Sequence, residues 1–130
     1  MLGSLHRFHG NKALNYVYAR GTQVRGNHVA LRYTLNRRRQ TYRIAVVVSR
    51  KVDKSAVVRN RIRRRIYEIT RELCGGLTEP YDIVFSVYSN QLTELPSVQL
   101  HAAIKGLFRK SAIPLSAAAA HHAIVKPEGS

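Results

Sequence analysis

Acidic residues are scarce in this 130-residue chain: 7 Asp and Glu stand against 22 Lys and Arg, a formal net charge of +15. A protein that cleaves nucleic acid by itself gathers carboxylates around metal ions. Here Glu68 and Glu72 are the one pair at helical spacing. Arg64, Arg65 and Arg71 lie within a turn of Glu68, so surface ion pairing is the simpler reading. Asp82, at the start of a strand-like run, reads as a solvent-facing edge charge. Cysteine occurs once, at Cys74, which excludes an internal disulfide and a thiolate metal site. No stretch approaches the ~18 apolar residues of a spanning helix. The opening MLGSLHRFHG lacks the apolar segment of a secretory signal. The expectation is a soluble, cytoplasmic chain with no membrane partner and no dedicated metal site.

What the chain has instead is arginine in one place. Between Arg20 and Arg65 stand 15 of the 22 basic residues, 13 of them arginine, opposed only by Asp53. A guanidinium is a flat fork of donors that grips two phosphate oxygens or stacks on a base. The block interrupts patterned, foldable sequence rather than forming a tail, so it points to a nucleic-acid surface and not merely a solvated charge run. Hydrophobic residues make up 45% of the chain, enough for one core.

Periodicity orders the elements. Asn11–Arg20 places Leu14, Val17 and Tyr18 at helical spacing before Gly21. Val29–Thr34, Tyr42–Ser49 and Tyr81–Tyr88 read as strands, and Asn36–Gln40 (NRRRQ) fits a hairpin loop between the first two. Ser55 is a suitable N-cap for a helix carrying Val58, Ile62, Ile66, Ile69 and Leu73, which fall within about 80° of arc. Cys74-Gly75-Gly76 ends it. A last helix begins near Pro96 with Leu100, Ile104, Leu107 and Phe108. The expected fold class is α+β, a small and mostly antiparallel sheet with helices packed on it. Residues 1–113 read as one RNA-binding domain and 114–130 as a flexible Ala-rich tail.

The central helix has two sides. Opposite its apolar stripe the projection puts Asn60, Arg63, Arg64, Tyr67 and Arg71, flanked by Arg59 and Arg61, with Arg65 near the stripe's edge and able to snorkel over the core. Arginines bind phosphates, and Asn offers a donor and an acceptor to a base edge or a 2′-hydroxyl. Ser49-Arg50-Lys51, followed by Ala56-Val57-Val58-Arg59-Asn60-Arg61-Ile62-Arg63-Arg64-Arg65-Ile66-Tyr67-Glu68, resembles the signature of the bacterial ribonuclease P protein subunit. The resemblance covers roughly Arg7 to Ile113.

That resemblance implies a compact two-layer αβββαβα sandwich with a left-handed βαβ crossover. It also implies a protein that assists removal of the 5′ leader from precursor tRNA, with the hydrolysis done by a catalytic RNA and its bound Mg²⁺. The partners implied are the catalytic ribonuclease P RNA and precursor tRNA, with no protein partner required and no catalytic residue on the protein. RNA docking then falls to Arg50, Lys51, Arg59, Asn60, Arg61, Arg63 and Arg64. The leader groove falls to Leu14, Tyr18, Arg32, Tyr33 and Tyr67. Leu14 stands where the family usually has Phe, which removes one stacking platform. On the strand the family's aromatic corresponds to Tyr33 or is replaced by Arg32, and the two face opposite sides. The connector Lys51–Val57 is one residue longer than the family's and lacks its glycine, with Ser55 expected to cap the helix.

The remaining candidates are weaker. His6, His9 and His28 sit in basic surroundings, with solvated surface the default reading. His121-His122 lacks a third metal ligand, and Cys74 reads as a small core residue. Tyr18, Tyr33 and Tyr88 are the tyrosines suited to base stacking. Two other functions share the charge pattern: a ribosomal-type structural RNA binder, and a DNA-binding module with the arginine helix in the major groove.

Overall fold

A computed structural model of the chain describes residues 11–115. The order is α1 (Asn11–Arg20), β1 (Thr22–Arg25), β2 (Val29–Leu35), β3 (Arg43–Val48), α2 (Ala56–Leu73), β4 (Tyr81–Val87) and α3 (Ser97–Lys110), with a 3₁₀ segment, Asn90–Thr93, between β4 and α3. The expected α+β class and element order hold. β1 is the element that periodicity did not single out: four residues, mostly exposed, at the sheet edge.

The four strands run β1-β2-β4-β3. β1/β2 and β2/β4 are antiparallel, and β3/β4 is parallel. β4 therefore separates β2 from β3, and the Asn36–Gln40 segment is not a hairpin loop. Its chain must cross a strand, about 10 Å of sheet width, over the start of β4. There Asn36 N donates to Pro80 O at 2.9 Å. A two-residue turn joins only adjacent antiparallel strands, whereas the β3–α2–β4 crossover demands that β3 and β4 lie side by side.

Alternation then sorts the sheet's two faces. Leu31, Ile44, Val46, Ile83, Phe85 and Val87 point into the main core, against Ile62, Ile66 and Leu73 of α2 and Leu100, Ile104, Leu107 and Phe108 of α3. Phe85 and Phe108 meet edge-on at 6.0 Å. Each large side chain taken from water here contributes ~1.5–3 kcal/mol, and that packing holds the arginine helix to the sheet. Thr70 joins the buried face by returning its hydroxyl to Ile66 O at 2.7 Å. Leu115 packs against the same core. Of the segment read as a tail, residues 116–130 lie outside the described residues, as do His6, His9, His121 and His122.

α1 lies on the opposite face, so the helices do not share a single layer. Its Tyr18 hydroxyl is 2.9 Å from Ser86 Oγ on β4. Gly21 ends it, its N–H donating to Val17 O at 2.7 Å. A Cβ at Gly21 would fall 2.5 Å from that carbonyl oxygen, so any larger residue would force the backbone at the end of α1 to shift.

Candidate nucleic-acid interface

The loop after β3 and the start of α2 form one basic corner. Ser55 caps α2 as expected, its Oγ accepting from Val58 N at 3.3 Å. The glycine-free connector is held by Asp53, whose Oδ1 accepts from Ser55 N at 2.8 Å and whose Oδ2 accepts from Asn90 Nδ2 at 3.4 Å. The sole acid in the basic block is thus engaged by neutral donors rather than spent on an arginine. Arg59 Nη1 donates to the carbonyls of Asp53 and Lys54 at 3.0 and 2.9 Å. Arg63 donates to Asn60 Oδ1 at 2.6 Å and to Val48 O at 3.4 Å, tying the helix to the end of β3.

The seven predicted docking residues therefore fall into two sets. Arg59, Asn60 and Arg63 interlock and shape the corner. Arg50, Lys51, Arg61 and Arg64 are exposed, and Arg61 and Arg64 make no hydrogen bond among the described residues. Arg65 turns the other way, as its position at the stripe's edge suggested. Its guanidinium donates to Leu92 O at 2.6 Å, to Thr93 O at 3.1 Å and to Leu95 O, binding the 3₁₀ segment to α2. Burial, and then the neighbouring Arg61 charge, lower its pKa. It remains a cation at neutral pH.

A second basic surface lies on the sheet face that α1 only partly covers. Arg32 extends across it, Nη1 donating to Tyr18 O at 3.1 Å and Nη2 to Gln23 Oε1 at 3.2 Å, with its guanidinium carbon 5.2 Å from the Tyr18 ring centre. Leu14 and Tyr18 are half-buried at its edge, while Ala45, Val47 and Ser86 leave a floor of small, half-exposed side chains. The choice between Arg32 and Tyr33 is thereby decided: Arg32 is on this face.

Tyr33 is not a surface platform. It is 9% exposed in the main core, its ring 6.2 Å from Tyr81 and its hydroxyl accepting from Ala112 N at 2.9 Å. On β2 and β4 the even positions, Arg32 and Ser86 among them, lead to the open face and the odd positions to the core. Tyr67 is likewise misplaced for a leader groove: it is half-buried against the core from α2, on the opposite side of the sheet from Tyr18. Asp82 is no edge charge either. It is 1% exposed and accepts from Arg43 Nε and Nη2, both at 2.8 Å, and from Asn36 Nδ2 at 2.9 Å. The residues sequence reasoning missed are Arg43 and Asn36, partners of that buried pair, and Arg25, whose guanidinium carbon lies 5.1 Å from the Tyr88 ring centre. Cross-strand register could have found Arg43, which stands opposite Asp82, and register is invisible until the sheet order is known.

Among the described residues no three His, Cys, Asp or Glu side chains gather as a metal site, and no helix is long and apolar enough to cross a membrane. Cys74 is buried, and burial pushes its thiol up to about 12. A neutral buried thiol is a core residue and not a nucleophile.

A family model described as Ribonuclease P matches residues 2–112. The chain belongs to the ribonuclease P protein family. A ribonuclease P protein component from Pseudanabaena sp. is 36% identical over 87 residues, 67% of this chain and 75% of that one. Another, from Chloroflexus aurantiacus, is 42% identical over 76 residues, 58% of this chain and 56% of that one. The solved Staphylococcus aureus RNase P protein superposes with a TM-score of 0.73 at 19% identity, covering 83% of this chain and 96% of that one. The Thermotoga maritima RNase P protein gives 0.69 at 19% identity, covering 81% and 96%. At such identities the likeness is one of fold, and this ribonuclease P protein fold carries its exposed arginines on α2 and its uncovered sheet face beside α1.

Proposed function

We propose that this chain, a protein subunit of ribonuclease P, docks on the catalytic RNA through the basic corner of α2 and holds the 5′ leader of precursor tRNA on the sheet face beside α1. Arg50, Lys51, Arg61 and Arg64 present unspent charge to phosphates. Arg59, Asn60 and Arg63 give the corner a fixed shape, which charge alone does not supply. The observation that carries the reading is this division of α2 into an apolar side locked in the core and a side of exposed guanidinium groups. The chain is a component of an endoribonuclease and is not expected to cleave alone.

On the second surface, Tyr18 and Arg32 form the platform for an unstacked base, a contact worth ~1–3 kcal/mol per base. Leu14, beside them, contributes apolar contact rather than a ring. In this reading Mg²⁺ belongs to the RNA. Asp82 is engaged by Arg43 and Asn36, and Asp53 by Ser55 and Asn90, so neither stands ready to gather with other carboxylates around an ion. The working compartment is the cytoplasm, where precursor tRNA is made in a bacterium.

Family membership does not favour the ribosomal or DNA-binding alternatives. The test is reconstitution: purified protein added to a bacterial ribonuclease P RNA is expected to raise precursor cleavage at low Mg²⁺. Absence of stimulation, or equal competition by duplex DNA, would refute the proposal. Salt dependence alone does not separate the functions, because neutralising ~5 phosphates gives a log-log slope of roughly −3.5 to −4.5 for any of them.

A further inference from the structure

Two arginine-over-tyrosine stacks share the open sheet face, and the proposed leader site uses only one. Tyr88 follows β4 directly and continues its ladder, its N–H donating to His28 O at 3.0 Å. It is 40% exposed, and its hydroxyl donates to Gly26 O, which fixes the ring across the β1–β2 turn. Arg25 caps the ring from the end of β1. Side chains two apart on a strand share a face at a spacing of ~6.8 Å. Tyr88 therefore lies one such step beyond Ser86, the residue that Tyr18 touches. That spacing is close to one nucleotide step of an extended, unstacked strand.

We propose that Arg25 and Tyr88 form a second nucleotide subsite, taking the base and phosphate of a single-stranded RNA one to two steps beyond the Tyr18–Arg32 platform. This deepens the leader reading and rests on it. The occupant follows from chemistry and charge. The ring offers a π-face to any base. The guanidinium over it is hydrogen-bonded to no acceptor among the described residues and so is open to an anion. A polyanion running along β4 meets cations at both steps. The subsite discriminates little between bases, because neither group reads a base edge.

The test uses holoenzyme assembled from the protein and a bacterial ribonuclease P RNA, with precursor tRNAs whose leaders are shortened one nucleotide at a time. Tyr88→Ala is expected to weaken long-leader precursor binding about 5-fold or more and to leave mature tRNA unchanged. Arg25→Gln is expected to weaken it several-fold and to lower the salt slope by about 0.7. Tyr88→Phe, which keeps the ring and loses the Gly26 hydrogen bond, is expected to bind as the parent does, separating stacking from turn stability. The leader lengths at which the Tyr18→Ala and Tyr88→Ala penalties appear should differ by one or two nucleotides. A leader-dependent Tyr18→Ala defect with neutral Tyr88→Ala and Arg25→Gln, or a Tyr88→Ala loss equal on mature tRNA, overturns the subsite alone. A Tyr18→Ala defect that ignores the leader overturns the groove reading and the subsite together.

Discussion

The buried pair Arg43–Asp82 allows a quantitative test of the fold that presents these surfaces. Both side chains are almost fully removed from water, 8% and 1% exposed, and Asp82 receives two hydrogen bonds from Arg43 and one from Asn36. Asp82→Ala leaves a buried guanidinium without its counter-charge, a loss of ~3–5 kcal/mol. In a domain of about 100 residues, 1 kcal/mol moves Tm by roughly 4–8 °C, so the variant should melt at least 10 °C lower. Arg43→Ala orphans the carboxylate and should cost a similar amount. The double variant should cost clearly less than the sum, since neither charge is then stranded, giving a coupling energy of about 2 kcal/mol or more. The chain has no tryptophan, so urea unfolding is best followed by far-UV circular dichroism at constant m-value. An Asp82→Ala cost under about 1 kcal/mol, the range of exposed pairs, would refute the burial argument and the β2–β4–β3 strand order that creates it.

Further outcomes follow from the same packing. Ile66→Ala, at a fully buried position on α2, should cost ~2–5 kcal/mol in denaturant unfolding, whereas Arg64→Ala should leave the midpoint unchanged. Arg59→Ala should lower stability measurably as well as RNA affinity, because it frees the Asp53 and Lys54 carbonyls. Burial raises Cys74 from 9.0 and Tyr42 from 10.0, each to about 12. Both stay neutral in the folded chain while the unfolded chain loses its protons, so their contribution is complete below pH 9 and disappears between pH 9 and 12. Cys74→Ala should flatten the first part of that alkaline decline, read from unfolding free energies at several pH values. A thiol reagent at pH 8 should label Cys74 only as fast as the protein opens.

Local pattern alone carries much of this molecule. The helix bounds of α1 and α2, the Ser55 cap, the apolar stripe and the basic corner are all legible in the sequence, because helical period and caps are short-range properties. Features that depend on tertiary placement are not. Asn36–Gln40 looks like a hairpin loop until β4 is inserted beside it. Asp82 looks like an edge charge until strand order brings Arg43 opposite it in register. Tyr33 and Arg32 exchange roles with a one-residue shift, and only the position of α1 tells which face is open. Tyr67 and Arg63 sit on α2's flank rather than its outer side because Thr70, a polar residue the projection ignored, belongs to the buried face.

The central claim is that α2 faces an RNA with one side while the other is anchored in the core. It is tested most directly by the affinity of the Arg61→Ala/Arg64→Ala double variant for ribonuclease P RNA across a salt series, with Tm recorded on the same samples. The account predicts weaker binding, a log-log salt slope shallower by about 1.4–1.8 and an unchanged Tm. Unchanged affinity and slope, or a fall in Tm as large as that of Ile66→Ala, would contradict it.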